Sequence, residues 1–127
     1  MATHAATEAT TKEIVQQYLT RLQKREDWAS LIADDLVFTS HAAPGRQISG
    51  RDAFLQGTGR FYGMIVDAQV NDVFASGEKA CALTRYRLQP PNGAAVFTSD
   101  VAEIFEVRNG RIASLAIYFD TAPYPKV

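Results

Sequence analysis

The sequence is poor in the residues on which several protein classes depend. Cys81 is the only cysteine, so no disulfide can form within the chain and its hydrophobic core must hold the fold together. Two histidines are present and one lies among the first few residues, which argues against a histidine-rich metal site. Basic residues number 13 against 14 acidic ones, a balance unlike the basic excess of nucleic-acid binders. No apolar run approaches the ~20 residues that cross a bilayer.

Motifs for phosphate, nucleophile and thiol chemistry are also missing. The sequence has no phosphate loop, no Gly-x-Ser-x-Gly elbow and no Cys-x-x-Cys pair, so we expect neither a cofactor nor a metal. The opening residues do not resemble a secretory signal, and we expect a cytoplasmic protein that binds neither nucleic acid nor membrane. A chain of 127 residues fits one domain. We assign residues 1–10 to a flexible tail and 11–127 to that domain.

Helical signals are concentrated in the first half of the chain. Thr10 and Glu13 have the spacing of a capping box, and apolar residues follow it at helical intervals. Asp27 can cap a short second helix, and Ser49 with Asp52 can start a third. The sequence therefore predicts three helices before residue 65.

The second half alternates in the manner of strands. A short strand is predicted over 36–41, and longer ones over 65–75, 79–89, 94–107 and 111–119, separated by turns rich in glycine, proline and asparagine. Helices followed by successive hairpins indicate an α+β domain, with the helices packed on one face of an antiparallel sheet.

The order of these segments resembles the nuclear transport factor two-like superfamily, which includes SnoaL-like polyketide cyclases, ketosteroid isomerase, limonene epoxide hydrolase and non-catalytic adaptors. The resemblance implies a cone-shaped, curved, mixed sheet with three helices around an internal pocket, and a homodimer. The segments that carry it are Ile14-Val-Gln-Gln-Tyr18-Leu, Asp27-Trp28, Ala33-Asp34-Asp35-Leu36, Ser49-Gly50-Arg51-Asp52-Ala53, Glu103-Ile-Phe-Glu-Val-Arg-Asn-Gly-Arg-Ile112 and Tyr118-Phe119-Asp120.

Three residues are candidates for catalysis. Tyr18 matches the isomerase tyrosine that donates a hydrogen bond to the developing oxyanion, and Glu103 matches its protonated carboxylic acid. Ser40 stands where the isomerase has its aspartate base, and a serine cannot move a proton without an activating partner. His41 titrates in the useful range and is the candidate replacement. The alternatives are a core tyrosine, a glutamate at the sheet rim or dimer contact, and a solvent-facing histidine.

The register of the last hairpin decides which residues share a face with Glu103. A two-residue turn at Asn109-Gly110 would join it to Tyr118 and Asp120, whereas a three-residue loop would surround it with apolar residues. We favour the three-residue loop. Asp120 then fits a turn aspartate that bonds to the nearby backbone better than it fits a catalytic group.

The resulting hypothesis is a SnoaL-like pocket protein that binds an apolar small molecule. It would act as a lyase, isomerase or cyclase on a carbonyl compound by stabilising an enolate. The alternative is a non-catalytic ligand-binding or dimerising adaptor, with a homodimer formed through an outer sheet face of Ala80, Ala82, Ala102, Ile104 and Ala116. The expected ligand-binding residues are Phe38, Ser40, Phe54, Leu83, Arg85, Val101, Phe105, Ile117 and Phe119.

Overall fold

The structure, a computed structural model, describes residues 4–42 and 45–124. The first three residues of the expected tail, 1–10, lie outside the described residues. The described chain consists, in order, of α1 (His4–Lys24), a 3₁₀ turn (Ala29–Leu31), β1 (Ile32–Ser40), β2 (Arg46–Ser49), α2 (Arg51–Met64), β3 (Ile65–Ser76), β4 (Lys79–Leu88), β5 (Phe97–Arg108) and β6 (Arg111–Phe119). Within that range, neither helix combines the length and the hydropathy that a membrane crossing requires.

The six strands form one mixed sheet in the order β2-β1-β6-β5-β4-β3. The β1–β6 pair is parallel, and every other neighbouring pair is antiparallel. The apolar faces of α1 and α2 pack on one side of this sheet, where they form the core with side chains from β1, β4, β5 and β6. We call this side of the sheet the inner face. The α+β class is confirmed.

The expectation of three helices is wrong, because the structure contains two α-helices in its described part. The segment after Asp27 makes only a 3₁₀ turn, in which the Asp27 carboxylate accepts a hydrogen bond from the backbone N–H of Ser30 at 3.2 Å. The turn ends where Ile32 enters the sheet opposite Ile112. A strand pairing therefore stops this helix after one turn.

The starts of both α-helices also differ from the prediction. Helix α1 begins at His4, so Thr10 lies inside it and does not cap it. The next residue, Thr11, is buried and bonds to Thr7 O and Gly77 O, each at 2.9 Å, which ties this helix to the β3–β4 turn. Helix α2 begins after Gly50, because Ser49 belongs to the short strand β2, which the sequence analysis missed.

The last hairpin differs from both alternatives that the sequence allowed. Its turn has two residues, Asn109 and Gly110, with φ of 53° and 73°, so the expected three-residue loop is wrong. However, Ala113 is an extra residue in β6, and beyond it the pairing shifts by one. Glu103 consequently faces Ile117. The turn prediction fails, but the expected apolar surroundings of Glu103 are present.

The two faces of β4 are opposite to the expected ones. Its buried side chains are Ala80, Ala82, Thr84, Tyr86 and Leu88. The pairing of Ala82 with Glu103 places them all on the inner face. Leu83 and Arg85 therefore lie on the outer face and do not line the inner one, while Ala80 and Ala82, expected outside, are inside.

Candidate functional site

The inner face carries a group of four polar side chains from four different elements. Tyr18 comes from α1, Tyr62 from α2, Tyr86 from β4 and Glu103 from β5. Tyr18, Tyr86 and Glu103 are buried, and Tyr62 is half-buried. We call these four residues the tyrosine–glutamate cluster. It combines three phenol hydroxyls with a buried carboxyl.

Two of the tyrosines share a short hydrogen bond. The hydroxyl oxygens of Tyr18 and Tyr62 lie 2.6 Å apart, so one phenol donates to the other. The Tyr18 ring meets Phe105 edge-on, with 5.6 Å between centroids, and the Tyr62 ring stacks on Trp28 at 4.3 Å. Aromatic packing on both sides therefore holds this pair of hydroxyls in place.

Glu103 is the buried carboxyl of the cluster and is 3% exposed. Its Oε2 accepts a hydrogen bond of 2.9 Å from the Tyr86 hydroxyl. Its Oε1 has no partner of good geometry among the described residues, and the same is true of Thr84 Oγ1 on the neighbouring strand. Burial raises the pKa of Glu103 to about 7, and the hydroxyls of Thr84 and Tyr86 partly oppose that rise.

The tyrosines keep their protons at neutral pH. Burial raises the pKa of Tyr18 and of Tyr86 well above the usual value near 10, and the charge of Glu103 raises both further. The pKa of Tyr62 also rises with burial. The cluster can therefore supply neutral phenol donors and, below about pH 7, a neutral carboxyl donor to a polar atom placed beside them.

The structure separates His41 from this cluster. Ser40 continues the inner face of β1 after Leu36 and Phe38 and is half-buried. His41 follows it, is exposed, and stacks on the exposed ring of Tyr118 with 4.3 Å between centroids. Because Tyr118 pairs with Ala102 on the outer face, the structure does not bring His41 to Glu103. The catalytic role expected of His41 stays a prediction.

Asp120 has the structural role that the sequence analysis favoured. Its side chain is exposed and accepts a hydrogen bond of 3.0 Å from the backbone N–H of Ala122, two residues later. In residues 4–42 and 45–124, no three His, Cys, Asp or Glu side chains are grouped as a metal site requires.

The residues expected to bind a ligand divide between the two faces. Leu83 and Arg85 border a shallow depression of about 370 Å³ on the outer face. There the Arg85 guanidinium forms a bidentate ion pair with the Asp100 carboxylate, with N–O distances of 2.8 and 3.1 Å. The inner face holds the others, buried or half-buried, namely Phe38, Ser40, Phe54, Val101, Phe105, Ile117 and Phe119.

The sequence analysis missed two members of the cluster, Tyr62 and Tyr86. Tyr62 lies one helical turn after Thr58 and two after Phe54, so the spacing along α2 could have placed all three on one side. Tyr86 could have been found only with the correct face of β4, because its neighbours Arg85 and Arg87 point away from the core. The missing signal was the pairing of β4 with β5.

Comparison with known proteins agrees with this fold. The chain resembles the structure of a Jannaschia sp. CCS1 protein that is named a SnoaL-like polyketide cyclase. The two are 14% identical over 99% of this chain and 100% of that one, with a TM-score of 0.77. It resembles an LEH-like epoxide hydrolase from M. tuberculosis at 23% identity over 91% and 86% of the chains, with a TM-score of 0.74.

A Kribbella flavida DSM 17836 protein is similar at 25% identity over 89% and 88% of the chains, with a TM-score of 0.74. A search among curated proteins returned no match. The model of the SnoaL-like domain family matches residues 15–115. This range includes all four residues of the tyrosine–glutamate cluster. This chain therefore belongs to the SnoaL-like domain family.

Proposed function

We propose that the chain binds an apolar small molecule with a carbonyl group on the inner face and stabilises the enolate form of that group. The observation that carries the proposal is Glu103, a buried carboxyl with one oxygen bonded to Tyr86 and the other without a well-formed hydrogen bond to any residue that the structure describes. A buried polar atom left unpaired costs about 1–3 kcal/mol, so a site that keeps one gains stability when a ligand supplies the missing partner.

The chemistry follows from the protonation states of the cluster. When a water molecule takes the proton from the carbon beside a carbonyl, the electron pair of the C–H bond forms a C=C bond. The π electrons of the carbonyl move to its oxygen, which takes up negative charge. When Tyr62 is the donor in its bond with Tyr18, the hydrogen of Tyr18 is available, and Tyr18 and neutral Glu103 can both donate hydrogen bonds to that oxygen. Such bonds are stronger in surroundings of low dielectric constant, and the surrounding side chains are aromatic and aliphatic.

A thermal-shift screen tests the proposal. Steroid enones, aromatic polyketides, terpenoids and hydrophobic acids would be added to the wild type, to Glu103→Gln and to Glu106→Gln. Glu106 lies on the same strand but on the outer face, so it is the matched control. A hundredfold excess over the dissociation constant should stabilise the folded state by about 2.7 kcal/mol.

Within any class that binds, a ketone should be compared with the hydrocarbon of the same skeleton. We expect the ketone to raise the melting temperature more, and Glu103→Gln alone to change that difference. Equal shifts for the ketone and the hydrocarbon, or equal effects of the two variants, would count against a polar contact at Glu103.

Binding without turnover is the second candidate, and the outward position of His41 favours it. Ser40 stands at the position that the resemblance gives to the isomerase base, and His41 is exposed and stacked on Tyr118, away from Glu103. Deuterium uptake at the carbon beside the carbonyl, measured in D₂O, separates the two functions. Uptake above the rate without protein indicates catalysis, with water receiving the proton, whereas a bound ketone that takes up no deuterium indicates a binding protein.

A further inference from the structure

The geometry points to Tyr86 as the positioning residue for Glu103: by donating to Oε2 it leaves Oε1 as the oxygen that carries the proton and presents it to the ligand. This inference rests on the proposed function, because the ligand that receives the proton is the carbonyl compound proposed above. Tyr86 itself touches the carboxyl and acts on the ligand only through Glu103.

The direction of the hydrogen bond decides where the proton lies. A phenol has one hydrogen, and Oε2, 2.9 Å away, is the one well-formed acceptor for the Tyr86 hydroxyl among the described residues, so we assign that hydrogen to the bond with Oε2. A neutral carboxyl also has one hydrogen. The oxygen that accepts from Tyr86 is therefore the carbonyl-type oxygen, and Oε1 becomes the O–H donor. Without Tyr86, no well-formed hydrogen bond among the described residues would hold the proton on one particular oxygen of the carboxyl.

The surroundings hold Tyr86 in this position. Its side chain is 1% exposed, and its ring meets Phe61 edge-on with 5.3 Å between centroids. Ala82 is the cross-strand neighbour of Glu103, so Tyr86, four residues further along β4, reaches the carboxyl along the inner face of the sheet. Burial on this face leaves the phenol little freedom to turn away from Glu103.

The unpartnered atoms indicate where a ligand oxygen would bind. Thr84 lies on the inner face of β4 between Ala82 and Tyr86, and its hydroxyl is near enough to the carboxyl to lower the pKa of Glu103. Both Thr84 Oγ1 and Glu103 Oε1 are buried without a well-formed hydrogen bond among the described residues. A carbonyl oxygen placed beside them would accept from both.

The described groups that interact with the charge of Glu103 are themselves neutral at pH 7. The titratable groups that interact with its charge are Tyr18, Tyr62, Tyr86 and Cys81. Burial raises the pKa of each, so all four are neutral at pH 7. A titration seen near neutral pH at this position therefore belongs to the Glu103 carboxyl.

The test is a carbon-detected NMR titration of the Glu103 side-chain carboxyl in ligand-free protein. In Tyr86→Phe we expect the midpoint to rise by about one pH unit or more, because the ionised carboxyl loses its donor. Tyr124→Phe is the matched control. It removes a hydroxyl that donates to Ser99 at 2.8 Å, so it should leave the midpoint of Glu103 unchanged.

A second measurement uses the unmutated protein and does not depend on how a variant folds. The Cζ signal of Tyr86 should move with the same midpoint as the Glu103 carboxyl, while the Cζ signal of Tyr124 should not. An unchanged Glu103 midpoint in Tyr86→Phe, or a Tyr86 signal that ignores the titration, would overturn the inference. If both behave as expected and no ketone binds in the thermal-shift screen, the proposed function fails while the positioning of Glu103 by Tyr86 stands.

Discussion

A carboxyl group is costly to ionise where water is excluded, and Glu103 lies between Val101 and Phe105 on its own strand and opposite Ile117 on the next. The Tyr86 hydroxyl donates a hydrogen bond to only one of the two carboxyl oxygens of Glu103. The same burial that makes this carboxyl a neutral donor near pH 7 therefore also makes the folded state sensitive to pH.

The stability of the chain should fall as the pH rises from about 4 to 7. Burial raises the pKa of Glu103 in the folded state to about 7, whereas an unfolded glutamate has a pKa of about 4.3. The contribution of this group is thus complete below about pH 4.3, and it is lost as the pH rises through about 7. The loss amounts to about 4 kcal/mol, measurable as the change in the free energy of unfolding by urea between pH 4 and 8.

Glu103→Gln should remove most of this slope, because the amide can still accept from Tyr86 but does not titrate. Glu106→Gln, on the outer face, should keep it. The assignment of the slope to Glu103 fails if both variants retain the pH dependence of the wild type.

Sequence patterns identified the two buried site residues whose burial can be inferred from residues near them in the sequence. Tyr18 shares a helical face with apolar neighbours, and Glu103 alternates with Val101 and Phe105 along one strand. The same patterns could not decide which of Arg85 and Tyr86 faces the core, because both faces of β4 carry apolar residues. Only the pairing with β5 shows which face the helices cover.

At the scale of the elements, the hairpin of β5 and β6 shows how two local choices combine. The sequence Asn109-Gly110 is typical of a two-residue turn, and the positive φ of both residues matches it. That turn alone would bring Glu103 opposite Ala116. The extra residue Ala113 restores the apolar partner, and no local signal in the sequence marks such a bulge, since it is set by packing of the whole strand.

Gly110→Ala should destabilise the protein by about 1 kcal/mol, because a φ of 73° places an alanine in the left-handed region. Gly59→Ala is the opposite control. Gly59 lies inside α2 without a positive φ, and an added Cβ would meet no atom within 4 Å, so this change should stabilise the protein by about 0.5–1 kcal/mol. The midpoints of unfolding in urea should fall for Gly110→Ala and rise for Gly59→Ala. An unchanged midpoint for Gly110→Ala would argue against the turn.

At the scale of the whole molecule, the order of elements was enough to predict the α+β class and the family. The second helix was not predictable as a 3₁₀ turn, because its end depends on the pairing of Ile32 with Ile112, far along the chain. The short strand β2 has the polar sequence Arg46-Gln47-Ile48-Ser49, and it is a strand only because β1 lies beside it. Long-range pairing, which a local pattern cannot contain, decides both.

The homodimer stays a prediction, and the outer face gives it a test. Leu83 and Tyr118 are 41% and 50% exposed there, around the depression that includes Arg85 and Asp100. We expect sedimentation equilibrium to give twice the chain mass for the wild type and the single mass for Leu83→Glu. Asn92→Asp, in the exposed turn after β4, should remain a dimer. A monomeric wild type would contradict the prediction.

The parallel pairing of β1 with β6 also has a consequence for the order of folding. Strands β3 to β6 can form as successive hairpins, but Phe38 must meet Leu115 across most of the chain, so closing this contact costs more entropy and comes later. In stopped-flow experiments, Phe38→Leu should therefore speed unfolding more than it slows folding, and Val101→Ala should slow folding. The fold would then be completed by its first strand, which joins the sheet after the strands made later in the sequence.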